Sequence, residues 1–509
     1  MAGGDDITVH VEWLARRLIT QQQEDAAATE HHRIMVNAHR VSRVPGHVRM
    51  ANPDAYTPGL VSIGPLHARL RAGNRLKMAY LNSLLSRGHP DASDHLAVIQ
   101  GYVRLVAARE REARAMYAAE DVDEVTAEDL IQMLVLDGCF IIEHLVNVFT
   151  GREEQSLHAI PFGPAQLLVD LVLAENQIPF FVLVDLFGGT RLPELGSTGY
   201  DPPALLVKLV LYYLGGEKGR DMSDALPPPD AVCHVLHLLH EMVTAARTRW
   251  LRPPIPRKQR RLCTVLAGMV QGFALVLGIL PLLVVVSLLH PTLPEECKWR
   301  ARYGPVDLPS TSDMKWLWVL FEKARDRGTG QVASGIVSVL GPVPLAVRLE
   351  PQANALALRL PQLRIQFVTA PLLLNLIAFE QSSDQLVGDV SAYVWFMAKM
   401  VQSPEDAAVL VAEEVVQTSM AGRGGNEDVA RFFTEVGQAS DSAGKLEQSY
   451  LGEIMEGLRN RTWYSFLTMR ADVQRYYVNA PWRLVAVFLT VVTTVATILQ
   501  TFASFKQKP

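Results

Sequence analysis

TAEDLIQMLVLDGCFIIEHLVNVF, residues 126–149, reads as one long apolar helix with a start signal in front of it. The Thr126 hydroxyl is placed to cap free amides, and Asp129 sits at the reciprocal capping-box position. Outward from it the same period recurs. The spacing predicts helices over Leu76–Leu85 and Leu96–Tyr117 on one side, and Ala165–Phe187, Pro203–Leu214 and Asp230–Thr248 on the other. Gly188 and Gly189 supply a stop for the Ala165 helix. LAVRL (345–349) and ALALRL (355–360) alternate across EPQAN and predict a small β-hairpin, the one clear sheet signal. Helical pattern resumes at Ala370, with a break at AGRGGNE (421–427). The expected fold class is mainly α: a large helical domain with a small β-hairpin and a C-terminal transmembrane helix.

Composition narrows the function classes. The chain has 509 residues, 49% apolar and 20% charged, and 48 basic against 53 acidic side chains leave a net charge of −5. That is a folded protein without the basic excess of a nucleic-acid binder, so no nucleic-acid partner is expected. Cys139, Cys233, Cys263 and Cys297 form no C-x-x-C pair, which removes the usual support for structural zinc or a thioredoxin-like site. GRGGNE lacks a Walker lysine and no G-x-G-x-x-G follows a strand, so no nucleotide, metal or other cofactor is expected.

Two uncharged runs dominate the hydropathy. Leu484–Phe505, bounded by Trp482 and Arg483 on one side and Lys506 and Lys508 on the other, would extend about 33 Å as a helix, the thickness of a bilayer core. It is expected to be a membrane anchor. Leu262–Leu289 is longer, follows the basic Arg257–Arg261 cluster, and reads either as a second span or as a core hairpin broken near Gly278–Pro281. The start of the chain carries Asp5 and Asp6 and lacks a signal-peptide core. A body in the cytosol is therefore expected, with the anchor at its C-terminal end. Insertion of both runs would instead expose the acceptor Asn460-Arg461-Thr462 to the lumen. The organisation expected is a polar tail (1–40), a first half-domain (41–251), a Pro-rich basic linker with the apolar insertion (252–300), a second half-domain (301–480) and the anchor (481–509).

Three strings invite chemistry. In ENQIPFF, Glu175, Asn176 and Gln177 interrupt an apolar segment just before Pro179, which reads as a polar joint whose groups need partners; the alternative makes Glu175 a general base. DGCF brings Asp137, Gly138, Cys139 and Phe140 together with His144, but on one helix Cys139 and His144 point about 140° apart. A packed cysteine is expected. Cys233, His234, His237 and His240 have partial metal-ligand spacing, yet HEMVT lacks the second histidine of H-E-x-x-H, and an amphipathic helix accounts for the pattern.

Taken in order, several strings resemble a plant-specific family, the domain-of-unknown-function family two-four-seven. VSRVP (41–45) and YTPGLVSIGPLH (56–67), with Tyr56, Pro58, Ser62, Gly64, Pro65 and His67, are followed by Lys77, then by MLVLDGCFIIEHL (133–145) and DLVLAENQIPFFVLVDLF (170–187). LLNLIAFEQ (373–381), with Asn375 and Glu380, and SAYVWFM (391–397), with Tyr393, come next, and the tail resembles the family's C-terminal membrane anchor. Ala174 stands where the family usually has leucine, LPSTSDMKWLWVLFEK (308–323) matches only loosely, and the Leu262 run reads as an insertion. The resemblance implies an uncharacterised, membrane-anchored plant protein; some members are associated with grass self-incompatibility. The function expected is recognition of an unknown protein partner at a membrane, with no visible catalytic centre. An enzyme assembled around Glu175, Asp137 or Cys139 is the alternative.

Overall fold

The computed structural model describes residues 41–459 apart from 42, 71, 153–154, 196–200, 224–225, 246–307, 309, 317–318, 324–344, 346, 352–355, 383–385, 387, 419–424 and 441–448. The tail 1–40, the Leu262–Leu289 run, Asn460 and the expected anchor Leu484–Phe505 lie outside the described residues. The principal helices are α1 (Asn74–Gly88), α2 (His95–Ala108), α3 (Ala127–Thr150), α4 (Gly163–Asp170), α5 (Phe180–Gly188), α6 (Pro202–Arg220), α7 (Val235–Thr244), α8 (Thr369–Gln381), α9 (Asp389–Met400), α10 (Pro404–Ala412), α11 (Gly425–Ala439) and α12 (Leu451–Arg459).

Helix α3 starts where the sequence places it. The Thr126 hydroxyl accepts the Asp129 amide at 3.1 Å and donates to the Asp129 carboxylate at 2.9 Å, so the reciprocal arm ends on the hydroxyl rather than on the backbone. Gly151 ends the helix in the left-handed region at φ +67°. Among the described residues α3 is the one helix long and apolar enough to cross a membrane, but α1, α2, α5 and α6 pack around it and most of it is buried. Leu130, Leu134, Phe140 and Ile142 are shielded completely, each contributing about 1.5–3 kcal/mol of burial. At Gly138 the α5 helix comes so close that an added Cβ would lie 2.4 Å from Leu186 Cδ1.

The second half packs α8 against α9 and α11, and α10 against α11, while α7 docks on α8. One continuous apolar core draws residues from both halves. The predicted hairpin is present as β2 (Arg348–Pro351) antiparallel to β3 (Leu356–Leu360). Sequence reading missed β1 (Val319–Lys323), which lies parallel to β3, and the parallel pair β4 (Leu363–Ile365) and β5 (Val416–Thr418).

Two predicted helices are broken. Leu96–Tyr117 divides at Arg109, where φ is −120°. Ala165–Phe187 divides into α4 and α5 because residues 171–179 leave the helix entirely. The reason for the second break lies in the side chains of that connection.

Candidate functional site

Residues 56–67 run through the interior with little β or helical pairing, so their buried amides need other acceptors. Side chains supply them. Asp170, the last residue of α4, takes the amides of Gly59, Leu60 and Val61 at 3.0, 2.7 and 2.8 Å, and Gln166 Nε2 at 2.9 Å. Asn176 Oδ1 takes the Ile63 amide at 2.6 Å, and its Nδ2 donates to the carbonyls of Val61 and Asp170. Asp137 on α3 takes the Gly64 amide at 2.8 Å and pairs with Lys77 Nζ at 2.5 Å. Lys77 also donates to the Ser62 carbonyl. Gly64 sits at φ +71°, and a Cβ there would fall 2.5 Å from the Gln177 carbonyl oxygen, so glycine is required twice over.

The ENQ string completes this latch. Glu175 is fully buried; its Oε1 takes the Val44 amide at 2.7 Å and the Arg49 guanidinium, and its Oε2 lies 3.3 Å from His67 Nε2 without hydrogen-bond alignment. Burial pushes the carboxyl up, but His67, Arg49 and the Val44 amide outweigh it and hold it below the ordinary value. Gln177 Nε2 donates to the carbonyls of Leu171, Leu173 and Asn176, and its Oε1 takes the Leu236 amide at the start of α7. These side-chain bonds to backbone replace the helical ladder, which is why one predicted helix became two. Pro179 then stands at the N-cap position of α5, and Tyr56, Pro58 and Pro65 are buried. Asn375 on α8 joins the latch from the second half: its Oδ1 takes the Ala174 amide at 2.8 Å, and its Nδ2 donates to Ala55 and Pro371 carbonyls at 2.7 Å.

A second buried network lies between α7, α8 and α9. Glu380 takes His240 Nε2 at 2.9 Å, the amides of Val390 and Ser391 at 2.8 and 2.7 Å, and the Ser391 hydroxyl at 2.7 Å. The Phe379 ring is surrounded by the rings of His234, His237 and His240 at 5.1, 5.7 and 5.4 Å. These three histidines are all buried. The ring nitrogens serve the helix start: His234 Nδ1 takes the His237 amide, and His237 Nδ1 takes the Cys233 amide. Among the described residues no three His, Cys, Asp or Glu side chains are grouped to hold a metal ion.

Burial alone would lower His240, but Glu241 at 3.8 Å and Glu380 at 2.9 Å outweigh it and carry its pKa from 6.5 to about 9. The charged imidazole therefore contributes stability that is complete below pH 6.5 and lost as pH rises through about 9. The melting-temperature gap between the parent and His240→Gln should be widest near pH 6.5 and shrink toward pH 9. A gap constant across that window would refute the charged pair.

The sequence-predicted residues thus fall into separate places. Glu175 and His67 meet, as do Asp137 and Lys77, but Cys139 lies in the α3 core, where burial pushes its thiol up to about 12. His144 is buried among Tyr80, Phe140 and Tyr213, and burial lowers it to about 4. Tyr393 is likewise enclosed, with its phenol raised by burial. Sequence reasoning missed Asp170, Arg49, and Glu143 with its bidentate partner Arg87 at 2.9 and 2.7 Å. The available signal was a carboxylate inside an apolar run. A small open cleft of about 90 Å³, lined by Arg43, Val44, Ala174, His234, Phe379 and Ser382, lies at the border of the two networks.

The chain is 25% identical over 474 residues to a UPF0481 protein of Arabidopsis thaliana, covering 90% of this chain and 85% of the relative. A second UPF0481 protein of the same plant is 28% identical over 171 residues, 33% of this chain and 30% of the relative. No solved structure matches this chain. The family pattern spans residues 41–496, and the chain belongs to DUF247, a family described as plant proteins of unknown function.

Proposed function

We propose that this chain is a membrane-associated protein that acts by recognising a protein partner, in signalling or in recognition of the self-incompatibility kind. It is anchored through Leu484–Phe505 and holds its helical body in the cytosol. The observation supporting binding over catalysis is the use of the buried acids: the candidates Glu175 and Asp137, and Glu380 beside them in role, all accept backbone amides and face internal cations or an imidazole, with the body's own folding as their task. The length and basic flanks of the C-terminal run support the anchor.

Proximity labelling with the tagged full-length chain in native tissue, paired with alkaline carbonate extraction of the same membranes, tests this reading. The chain should stay in the pellet and label a reproducible set of proteins. Release into the supernatant would remove the anchor. If Glu175→Gln and Cys139→Ala both accumulated normally on membranes yet abolished biological activity, the enzyme reading would replace recognition.

A further inference from the structure

Two phenylalanines on the surface come from opposite halves of the chain and pack on each other. Phe162 is 75% exposed and Phe367 is 52% exposed, and their rings meet edge to face with centroids 5.5 Å apart. Phe162 adopts φ +57°, a left-handed conformation that bulky side chains rarely take. Nearby in the sequence, Val169, Leu173 and Val368 form an apolar cluster separate from the main core, with Ala165 against it. Ala159, Ile160, Pro161, Phe162 and Pro164 are all exposed, a solvent-facing apolar run that a purely structural loop has no reason to contain.

We propose that this aromatic tip, Ile160–Phe162 with Phe367, is a second contact with the lipid bilayer, seated in an anionic leaflet. The inference rests on the membrane anchor proposed above. Local charge favours this occupant. No acid falls in Gln155–Val169, which follows Glu153 and Glu154, or in Pro361–Phe379, and the only ionisable side chains in these two stretches are His158 and Arg364. The parallel register of β4 and β5 puts Glu413 and Glu414 at the end of the strand pair opposite Phe367. Free of acids, these two stretches meet no repulsion of their own from a negatively charged leaflet. Its chemistry points the same way: phenylalanine, isoleucine and proline offer no polar side-chain group, and acyl chains need none. Reach is sufficient, since residues 460–483 at full extension span about 80 Å, against a radius of gyration near ~21 Å for a body of ~400 residues.

The test uses the full chain reconstituted in phosphatidylcholine–phosphatidylserine vesicles with brominated acyl chains. Emission added by Phe162→Trp, and separately by Phe367→Trp, is read against the parent, with exposed Leu96→Trp as the comparison site. Seated about 5–10 Å into the headgroup and acyl boundary, each added indole should lose at least about half its emission to bromolipid, while Leu96→Trp should not. A chain that floats with the vesicles but leaves both indoles unquenched overturns the second contact and leaves the anchor standing. Shielding from iodide without bromolipid quenching would mean that protein covers the tip, which also overturns it. A chain that fails to float removes the anchor and this contact together.

Discussion

Asp170→Ala should prevent the protein from accumulating in folded form. The aspartate is fully buried and takes three backbone amides, and alanine leaves all three without an acceptor. At about 1–3 kcal/mol for each orphaned buried donor, the loss is comparable to the whole stability of about 5–15 kcal/mol that a domain possesses. Asn at this position keeps one acceptor oxygen but turns an amide group toward the same donors, so Asp170→Asn should fall between parent and alanine. Steady-state abundance and urea unfolding read this out. An alanine variant with the parental urea midpoint would show that segment 59–61 is dispensable to the fold.

Lys77→Met carries the second large effect. Lys77 and Asp137 are both buried, and removing the cation leaves a carboxylate facing apolar surroundings. Breaking a buried pair from one side costs about 3–5 kcal/mol. The sign with pH follows from Asp137: burial lifts its pKa above the ordinary value, although Lys77 and the Gly64 amide pull it down. Without Lys77 the carboxyl should rise further, so the penalty is full at neutral pH and shrinks as acid supplies the proton. Lys77→Met with Asp137→Asn should recover much of the loss. A double variant as unstable as the single at neutral pH would place the cost in lost packing instead of charge.

Both predictions concern residues whose neighbours were partly readable. ENQ inside an apolar run announced a joint, because buried amide and carboxylate groups must be paired. The partners were not readable: Glu175 meets Val44 and Arg49 across more than a hundred residues, and His240 meets Glu380 across 140. Periodicity located α3, where local pattern and tertiary burial agree, and failed at residues 171–179, where side chains outbid the backbone for its own hydrogen bonds. Strand β1 escaped because its partner β3 lies far along the chain and its parallel pairing leaves no hairpin turn to read.

Asn375 gives the molecule an order of assembly. It donates to the Ala55 carbonyl, 320 positions earlier, and accepts the Ala174 amide, 201 positions earlier. A growing chain emerges from its N-terminal end at about 5–20 residues per second, so Ala55 waits through 320 further residues and Ala174 through 201 before this bridge exists. During that interval the Ala55 carbonyl and the Ala174 amide remain open to water, chaperones or competing strands. The uncharged run Leu262–Leu289 leaves the ribosome before Asn375 does. Any choice between membrane and protein surroundings for that run is thus faced while the body is still unlatched, and a slower passage through residues 290–375 lengthens the time available to make it.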